Sequence, residues 1–550
     1  MTIKLRGVFA LACVICAAHA LSGRAAPQAT SSGPSSGATY YVDAAGGDDE
    51  ASGRTTAAAW KTLARVNRVD AFQPGDRILF RAGGAWTGQL RPRGSGAQGR
   101  PITIDRFGQG GRPRIDAGPD AGDALYLCNQ SFWEIGNLEL TSQDPAKPND
   151  RTRRGVFVEA RGSFVEHIHL KQLLVHDVRG LLALDDNFNL GKDSVGIGFE
   201  VTDRANGARF HDLLVEASDI YGIDSTGIFT KGTGSVYPRS PGWDAIKFTG
   251  VVLQDNTIHD IAKNAIIVRQ LDGGLVQRNR VWDTAYRARS GNQIFTRTCY
   301  ATVVQFNEGY LNRAVDDMDG SAFDADLESP ATVWQYNYSH DNKFGLITLC
   351  TVAQDKDIVI RYNISRNDQG RLLNINYNFT GVHIYNNVFI IPAHLSPQIL
   401  WETHARTGTN FTGTQRYGFD NNIVYNLSPT ATYNLNPNVE SKRQTTRVMR
   451  NNVFFGQHPA GEPLGVAPGP YHTLGGHITS DPGFVNPDGG GDGIATLEGY
   501  RIRAGSACIR AGLFIPANGG GDFWGTRLPD GPPDIGIHQF AAPSIRRDRP

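Results

Sequence analysis

In the second half of this 550-residue chain an asparagine recurs three positions after an apolar residue. The pairs are Leu253/Asn256, Val276/Asn279, Val304/Asn307, Trp334/Asn337, Ile360/Asn363, Ile384/Asn387, Phe419/Asn422 and Met449/Asn452. Their intervals run from 23 to 35 residues. That is too irregular for a helical repeat but suits coils of short strands joined by loops of different length. An asparagine turned inward at the same corner of each coil can hydrogen-bond to its neighbours above and below, satisfying turn backbone that would otherwise be buried unpaired. The pattern predicts an all-β solenoid, a parallel β-helix. Because a solenoid grows along one axis, the length of the chain does not count domains, and one elongated body is expected.

Composition agrees. Sixty-four glycines and only 3 methionines fit many short strands punctuated by turns rather than long helices. Lys+Arg and Asp+Glu are both 54, so there is no global basic field of the kind that drives nucleic-acid binding. Lys4, Arg6 and the apolar run from Val8 to Ala18, followed by Ala18-His19-Ala20 and a second small-residue site at Ala25-Ala26, predict a signal peptide over residues 1–26 and hence export to the periplasm or beyond. Cys16 inside the run leaves a lipid anchor as an alternative. No later run is long enough to span a bilayer. Residues 27–38 read as a flexible linker, 39–540 as the solenoid with its capping segments, and 541–550 as a disordered tail. Within residues 57–69, Trp60, Leu63, Ala64 and Val66 stand near helical spacing and predict an N-terminal helical cap over the first coil's open edge. Residues 500–540, mixing Gly and Pro with apolar residues, read as irregular strand and loop folding back on the last coils. Cys128, Cys299, Cys350 and Cys508 allow three disulfide pairings in an oxidising compartment, and their spacing matches no metal motif.

The opening YYVDAAGGDD with AWKTL and PGDRILF, the central DGSAFDAD followed by VWQYNYSHDN, and the closing DFWGTRLPDGPPDIG resemble the secreted right-handed parallel β-helix proteins of the pectate-lyase-like superfamily. The resemblance covers nearly the whole mature chain and implies a right-handed β-helix that acts on polysaccharides. It does not fix the reaction, since that superfamily holds lyases, hydrolases, epimerases and binding proteins. The NTD, GHG and RIK set of the galacturonan hydrolases and the WIDH of the main pectate lyases are both missing.

Alternation along the strands locates a working face. Ile228/Thr230, Ile266/Val268, Ile294/Thr296, Phe323/Ala325, Ile347/Leu349 and Leu373/Ile375 are apolar or small and should point inward. Their neighbours then form two outward columns: Phe229, Ile267, Phe295, Asp324, Thr348 and Asn374, and beside them Lys231, Arg269, Arg297, Asp326, Cys350 and Asn376. Asp324 and Asp326 project from the same side at roughly 6.6 Å. Rotamers allow either the retaining or the inverting arrangement of glycoside hydrolysis, and mutual repulsion should raise one pKa, as a general acid requires. Asp317 and Asp319, just upstream, are expected to assist. Hydrolysis needs no cofactor, although Asp316, Asp317, Asp319, Asp324 and Asp326 could instead form an all-oxygen calcium cage.

Lys231, Arg269 and Arg297 make a basic stripe suited to uronate or sulfate groups, with Asn374 and Asn376 beside it. The alternative for Asp326 is a plain ion pair with Arg297. His340 is either part of a turn with Asp341 and Asn342 or a proton-transfer group near the aspartates. Trp334 is assigned to the core, and Trp243, Tyr286, Tyr300 and Trp401 to loops where a ring could stack on a sugar. The sequence thus points to a monomeric glycoside hydrolase acting on an acidic polysaccharide. Its rivals are a lyase, in which the aspartates hold calcium against a uronate carboxylate and Lys231 or Arg297 abstracts the proton, and a non-catalytic glycan-binding protein.

Overall fold

A computed structural model describes residues 37–182, 194–234, 236–315, 319–352, 354–402, 413–435, 443–458 and 472–541. The expected signal peptide, nearly all of the expected linker, and residues 542–550 lie outside this range. Three long sheets of 16, 13 and 11 strands carry the chain, and their strands pair in parallel. A central coil contributes one strand to each sheet. Ile294–Arg297 belongs to the 11-stranded sheet, Val303–Gln305 to the 16-stranded sheet and Glu308–Asn312 to the 13-stranded sheet, before Phe323–Ala325 returns beside Ile294–Arg297. This is the parallel β-helix implied by the repeat and by the resemblance.

The asparagine corner joins the 16-stranded sheet to the 13-stranded one in two residues. The first of the two is left-handed in all eight coils: Asp255, Arg278, Phe306, Tyr336, Tyr362, Asn386, Asn421 and Asn451 have φ between 51° and 57°. The second is the asparagine, and its side chain lies inside. Asn337 Nδ2 donates to Val304 O at 2.9 Å in the coil below and to Asn363 Oδ1 at 3.0 Å in the coil above. Its Oδ1 accepts from Asn307 N and Asn307 Nδ2, both at 3.0 Å. Asn256, Asn279, Asn307, Asn363, Asn387 and Asn422 repeat the arrangement. A left-handed conformation costs a bulky L-residue of the order of 1 to 3 kcal/mol, so an arginine, phenylalanine or tyrosine persists there only because the stack fixes the corner. In earlier coils the same left-handed corner precedes Leu138, Leu173 and Ser218, which is why the asparagine pattern is absent from the first half.

Between the sheets, side chains stack in rows. Ile228, Ile266, Ile294, Phe323, Ile347 and Leu373 are register partners in turn, and all are at most 1% exposed. Within residues 57–69 the helix is short, Leu63–Asn67, with Leu63 and Val66 in the core. Toward the C-terminus, Phe523 and Ile535 pack against Tyr336, Tyr362 and Tyr385 on the outside of the corner. Asn386 donates to Asp534 O and Gly536 O, and Asn421 to Leu513 O, pinning the tail. The four cysteines are all free, so none of the three disulfide pairings forms. Among the described residues no helix is long and apolar enough to cross a membrane.

Asn337→Ala would leave the backbone N–H and the side-chain amide of Asn307 buried without the Asn337 oxygen that accepts from both. A loss of about 3 kcal/mol is expected in chemical denaturation, since each such orphaned group costs about 1 to 3 kcal/mol. A loss below about 1 kcal/mol would mean that the ladder is not what holds the corner.

Candidate active site

The strand register sets the outward face of the 11-stranded sheet. Phe229 pairs with Ile267, Ile267 with Phe295, Phe295 with Asp324, Asp324 with Thr348 and Thr348 with Asn374. In the second column Glu200 pairs with Lys231, Arg269 with Arg297 and Cys350 with Asn376. Both columns predicted by alternation therefore lie on one wall. They are not equally wet. Val195, Phe229, Ile267 and Phe295 form a buried apolar cluster of their own on this outer side, and Asp324, next in that column, is 4% exposed.

That placement governs the chemistry of Asp324. Burial, followed by the charges of Asp326 and Asp319, drives its pKa well above the ordinary aspartate value, against one hydrogen bond from Asn292. Asn292 Nδ2 donates to Oδ2 at 2.8 Å, and Asn292 Oδ1 is held by Ser321 N at 2.9 Å. Oδ1 of Asp324 is buried with no hydrogen-bond partner among the described residues. An aspartate in this setting holds its proton to higher pH than an exposed one does. Asp326 is more open, its side chain 16% exposed, and Arg297 Nη1 lies 3.3 Å from its Oδ2. Burial also raises its pKa, with Arg297 pulling the other way. The two carboxyl groups thus differ: one is enclosed beside apolar neighbours, the other is reached by a guanidinium. Cys350, on the same face, is driven well above the usual thiol range by burial and by Asp324, Asp326 and Asp319, so it is not a thiolate nucleophile.

Beside the aspartates a cleft of about 540 Å³ is walled by Glu200, Thr202, Lys231, Arg269, Arg297 and Thr298, among others. Neither aspartate lines it. Its cations are largely matched: Lys231 Nζ sits 3.0 Å from Glu200 Oε1, and Arg297 pairs with Asp326. Arg269 differs. Burial and the neighbouring Arg297 lower its pKa to about 10, and its Nε is buried without a hydrogen-bond partner among the described residues.

Several sequence-based expectations are corrected. His340 is neither in a turn nor near the aspartates. It ends the strand Tyr338–His340 in the 13-stranded sheet, 1% exposed, stacked between Tyr310 and Tyr338 with ring centroids 4.5 and 4.4 Å away. Glu308 and Asp341 hold its two nitrogens at 3.1 and 2.7 Å. Burial would lower its pKa, but those two carboxylates raise it. Trp243 is 1% exposed in a short 3-10 helix, its Nε1 donating to Asp272, so it offers no ring face to a sugar. Tyr300 is partly exposed, but Arg239 covers its ring at 4.6 Å. Tyr286 receives a hydrogen bond from Arg179. Asp316 and Asp317 lie outside the described residues. Among the described ones, Asp319, Asp324 and Asp326 do not form a group whose ligand atoms all lie within 4.8 Å of one another.

Two contributors were missed, and a third, Trp401, was misplaced. Glu200 and Asn292 are visible only through the register and the hydrogen bond that brings them in. Trp401 is no loop residue: it follows Asn374 in the first column, with Arg371 over its ring at 4.0 Å. Extending the inward and outward alternation by one more coil would have found it.

No protein-family model matches the chain. A lacto-N-biosidase of Bifidobacterium longum subsp. longum is 26% identical over 94% of this chain and 37% of that protein, so the chain spans little more than a third of its curated relative. Among solved structures, the GH136 lacto-N-biosidase of Eubacterium ramulus superposes with a TM-score of 0.60 at 24% identity, over 71% of this chain and 68% of that one. Its native crystal form gives 0.58 at 23% identity, over 70% and 68%. These likenesses bear out the β-helix fold.

Two outcomes test the electrostatics. A carboxyl whose folded pKa is raised keeps its proton after the unfolded chain has lost it, so its burial destabilises progressively as pH rises from about 4 through the folded pKa. Asp324→Asn should therefore be more stable than wild type at pH 7 and match it near pH 3, the gap growing by about 1.4 kcal/mol per pH unit until the folded pKa is passed. For His340 the sign is opposite. Its folded pKa is raised, so its contribution is complete below about pH 6.5 and fades as pH climbs through the folded value. The stability deficit of His340→Gln should be largest in acid and shrink toward alkaline pH in denaturant titrations; a pH-independent deficit would contradict the assignment.

Proposed function

We propose that the chain is an exported glycoside hydrolase in which Asp324 and Asp326 divide the acid and base roles. The observation that carries this reading is the contrast between them. Asp324, enclosed and protonated, is suited to give its proton to the glycosidic oxygen as the bond to the anomeric carbon breaks. Asp326, kept in reach of Arg297, is suited to attack that carbon or to take a proton from the attacking water. Asp319 acts through its charge, which helps Asp324 hold its proton. Support comes from the relative named a lacto-N-biosidase, which favours hydrolysis over elimination, and from the fold shared with a GH136 enzyme. A lacto-N-biose-terminated glycan is thus the first substrate to try.

With Lys231 and Arg297 already neutralised, Arg269 is the cation left to meet an acidic group, so the cleft suits a glycan with few negative charges better than a polyuronate. Asn374, Asn376 and Trp401 extend the face toward the rest of the substrate. Calcium has no part in the proposed reaction, and the enzyme is taken to work as a monomer. We take the solenoid as right-handed, the hand that parallel crossovers adopt, and the helix Leu63–Asn67 as closing its first coil, on the strength of its buried Leu63 and Val66.

Purified protein should release new reducing ends from such a glycan, without the ultraviolet absorbance of an unsaturated sugar and undiminished by chelator. Asp324→Asn and Asp326→Asn should each lower kcat by about 10²- to 10⁴-fold while substrate binding persists. Unsaturated product would establish a lyase, and binding without turnover in wild type a lectin. Asp317→Asn belongs in the same assay: its full loss of activity, with Asp326→Asn active, would overturn the assignment of Asp326.

A further inference from the structure

On the outer face of the 16-stranded sheet, a different wall from the one carrying Asp324, three successive coils bring two imidazoles and two carboxylates together. The strands are Trp133–Gly136, Phe164–Lys171 and Arg209–Glu216. In the second of these, Val165, Ile168 and Leu170 are fully buried, and in the third Phe210, Leu213 and Val215. The gap of three between the first two buried positions marks an inserted residue in each strand. The inserted residues, His167 and Asp212, are both left-handed, with φ of 54°. Bulges of this kind re-aim side chains. Here the insertion puts His167 on the outer side together with His169, whose register partner on the preceding coil is Glu134.

The hydrogen-bond geometry of this cluster is not satisfied by neutral groups. His167 Nδ1 lies 2.7 Å from Asp212 Oδ2, and its Nε2 lies 3.2 Å from Glu134 Oε1. A neutral imidazole has one N–H and one lone pair, so one nitrogen would face a carboxylate oxygen lone pair to lone pair. A cation must stand on one side. A proton serves for His340, whose ring neighbours are tyrosines. At His167 the neighbour is a second imidazole: the His169 ring centroid is 3.9 Å away, and His169 Nε2 meets Asp212 Oδ1 at 2.9 Å. One divalent ion would satisfy both rings at once and balance the two carboxylates.

We propose that Glu134, His167 and His169 bind a divalent transition metal of the zinc type, with Asp212 orienting the imidazoles from behind. Each of the three ligands offers one atom, and these atoms all lie within 4.8 Å of one another. Nitrogen donors select zinc-like ions over calcium, and a carboxylate behind a metal-bound imidazole fixes its tautomer. The ion would staple the neighbouring coils that carry Glu134 and His167, and would act on stability rather than on the reaction at Asp324.

The test uses the full chain, stripped with chelator, then titrated with zinc by calorimetry and followed by thermal unfolding. One equivalent should bind and raise the unfolding midpoint to a plateau, and calcium at the same concentration should do neither. Glu134→Gln and His169→Ala should each weaken zinc at least 10-fold. Asp212→Asn should weaken it roughly 10- to 100-fold, the range for outer-sphere partners. His340→Gln should bind as wild type does. Should His169→Ala fail to fold, Glu134→Gln, at a side chain 39% exposed, decides alone. No midpoint shift in wild type, or unchanged zinc affinity in Glu134→Gln, would overturn the proposal.

Discussion

The structure depends on satisfying backbone at a two-residue corner. Every coil must turn between two parallel sheets while staying stacked on its neighbours, and the inner atoms of that turn have no water to bond. The asparagine amide, with two donors and an acceptor, suits this corner because it reaches a carbonyl below and the next amide above, while its oxygen takes the amide protons of the coil beneath. One side chain thereby substitutes for solvent along the corner. The ladder also makes tolerable the left-handed residue that precedes it, so Phe306, Tyr336 and Tyr362 can present their rings outward in a row. The C-terminal tail then packs on those rings.

A second ladder, at the far end of the 13-stranded sheet, links the fold to the candidate site. Asn312 N donates to Asn342 Oδ1 at 2.9 Å, and Asn342 N to Asp368 Oδ1 at 3.0 Å. Burial raises Asp368 to about 6, although hydroxyls of Ser339 and Ser365 donate to it. Asn312 Nδ2 also holds Gly291 O at 2.7 Å, next to Asn292, which binds Asp324. The coil bearing the aspartates is therefore anchored from its neighbour by the same amide chemistry that builds the solenoid.

Outward-facing residues on a solenoid need not be wet, and this protein uses the distinction. Along the first column the apolar cluster around Phe295 continues into Asp324, so a carboxyl is carried out of water without entering the core. Imidazoles outside the core are treated in two ways. Along the 13-stranded sheet His176, Tyr221, His259, Trp282, Tyr310 and His340 stack one upon another in register, and carboxylates flank the histidines. In that row His259 and His340 are each stacked by two aromatic rings. At His167, Phe132 stacks on the ring and a second imidazole, the tilted ring of His169, lies 3.9 Å away, so two imidazoles share Asp212.

From the residues alone it was possible to derive the coil, its asparagine corner, the inward rows beginning at Ile228, and hence the wall on which Asp324, Asp326, Lys231, Arg269 and Arg297 sit, because strand alternation and a repeated turn are local and periodic. Local pattern could not say how deep a side chain lies or what meets it from another coil. That Asp324 is enclosed while Asp326 reaches Arg297, that Glu200 neutralises Lys231, that Trp243 is buried, and that His340 belongs to another sheet all follow from contacts between residues tens of positions apart. The bulge that turns His167 outward breaks the very alternation from which strand faces are read. Periodicity decides which way a side chain points; only the packed coils decide its dielectric surroundings and its partners, and with them its charge.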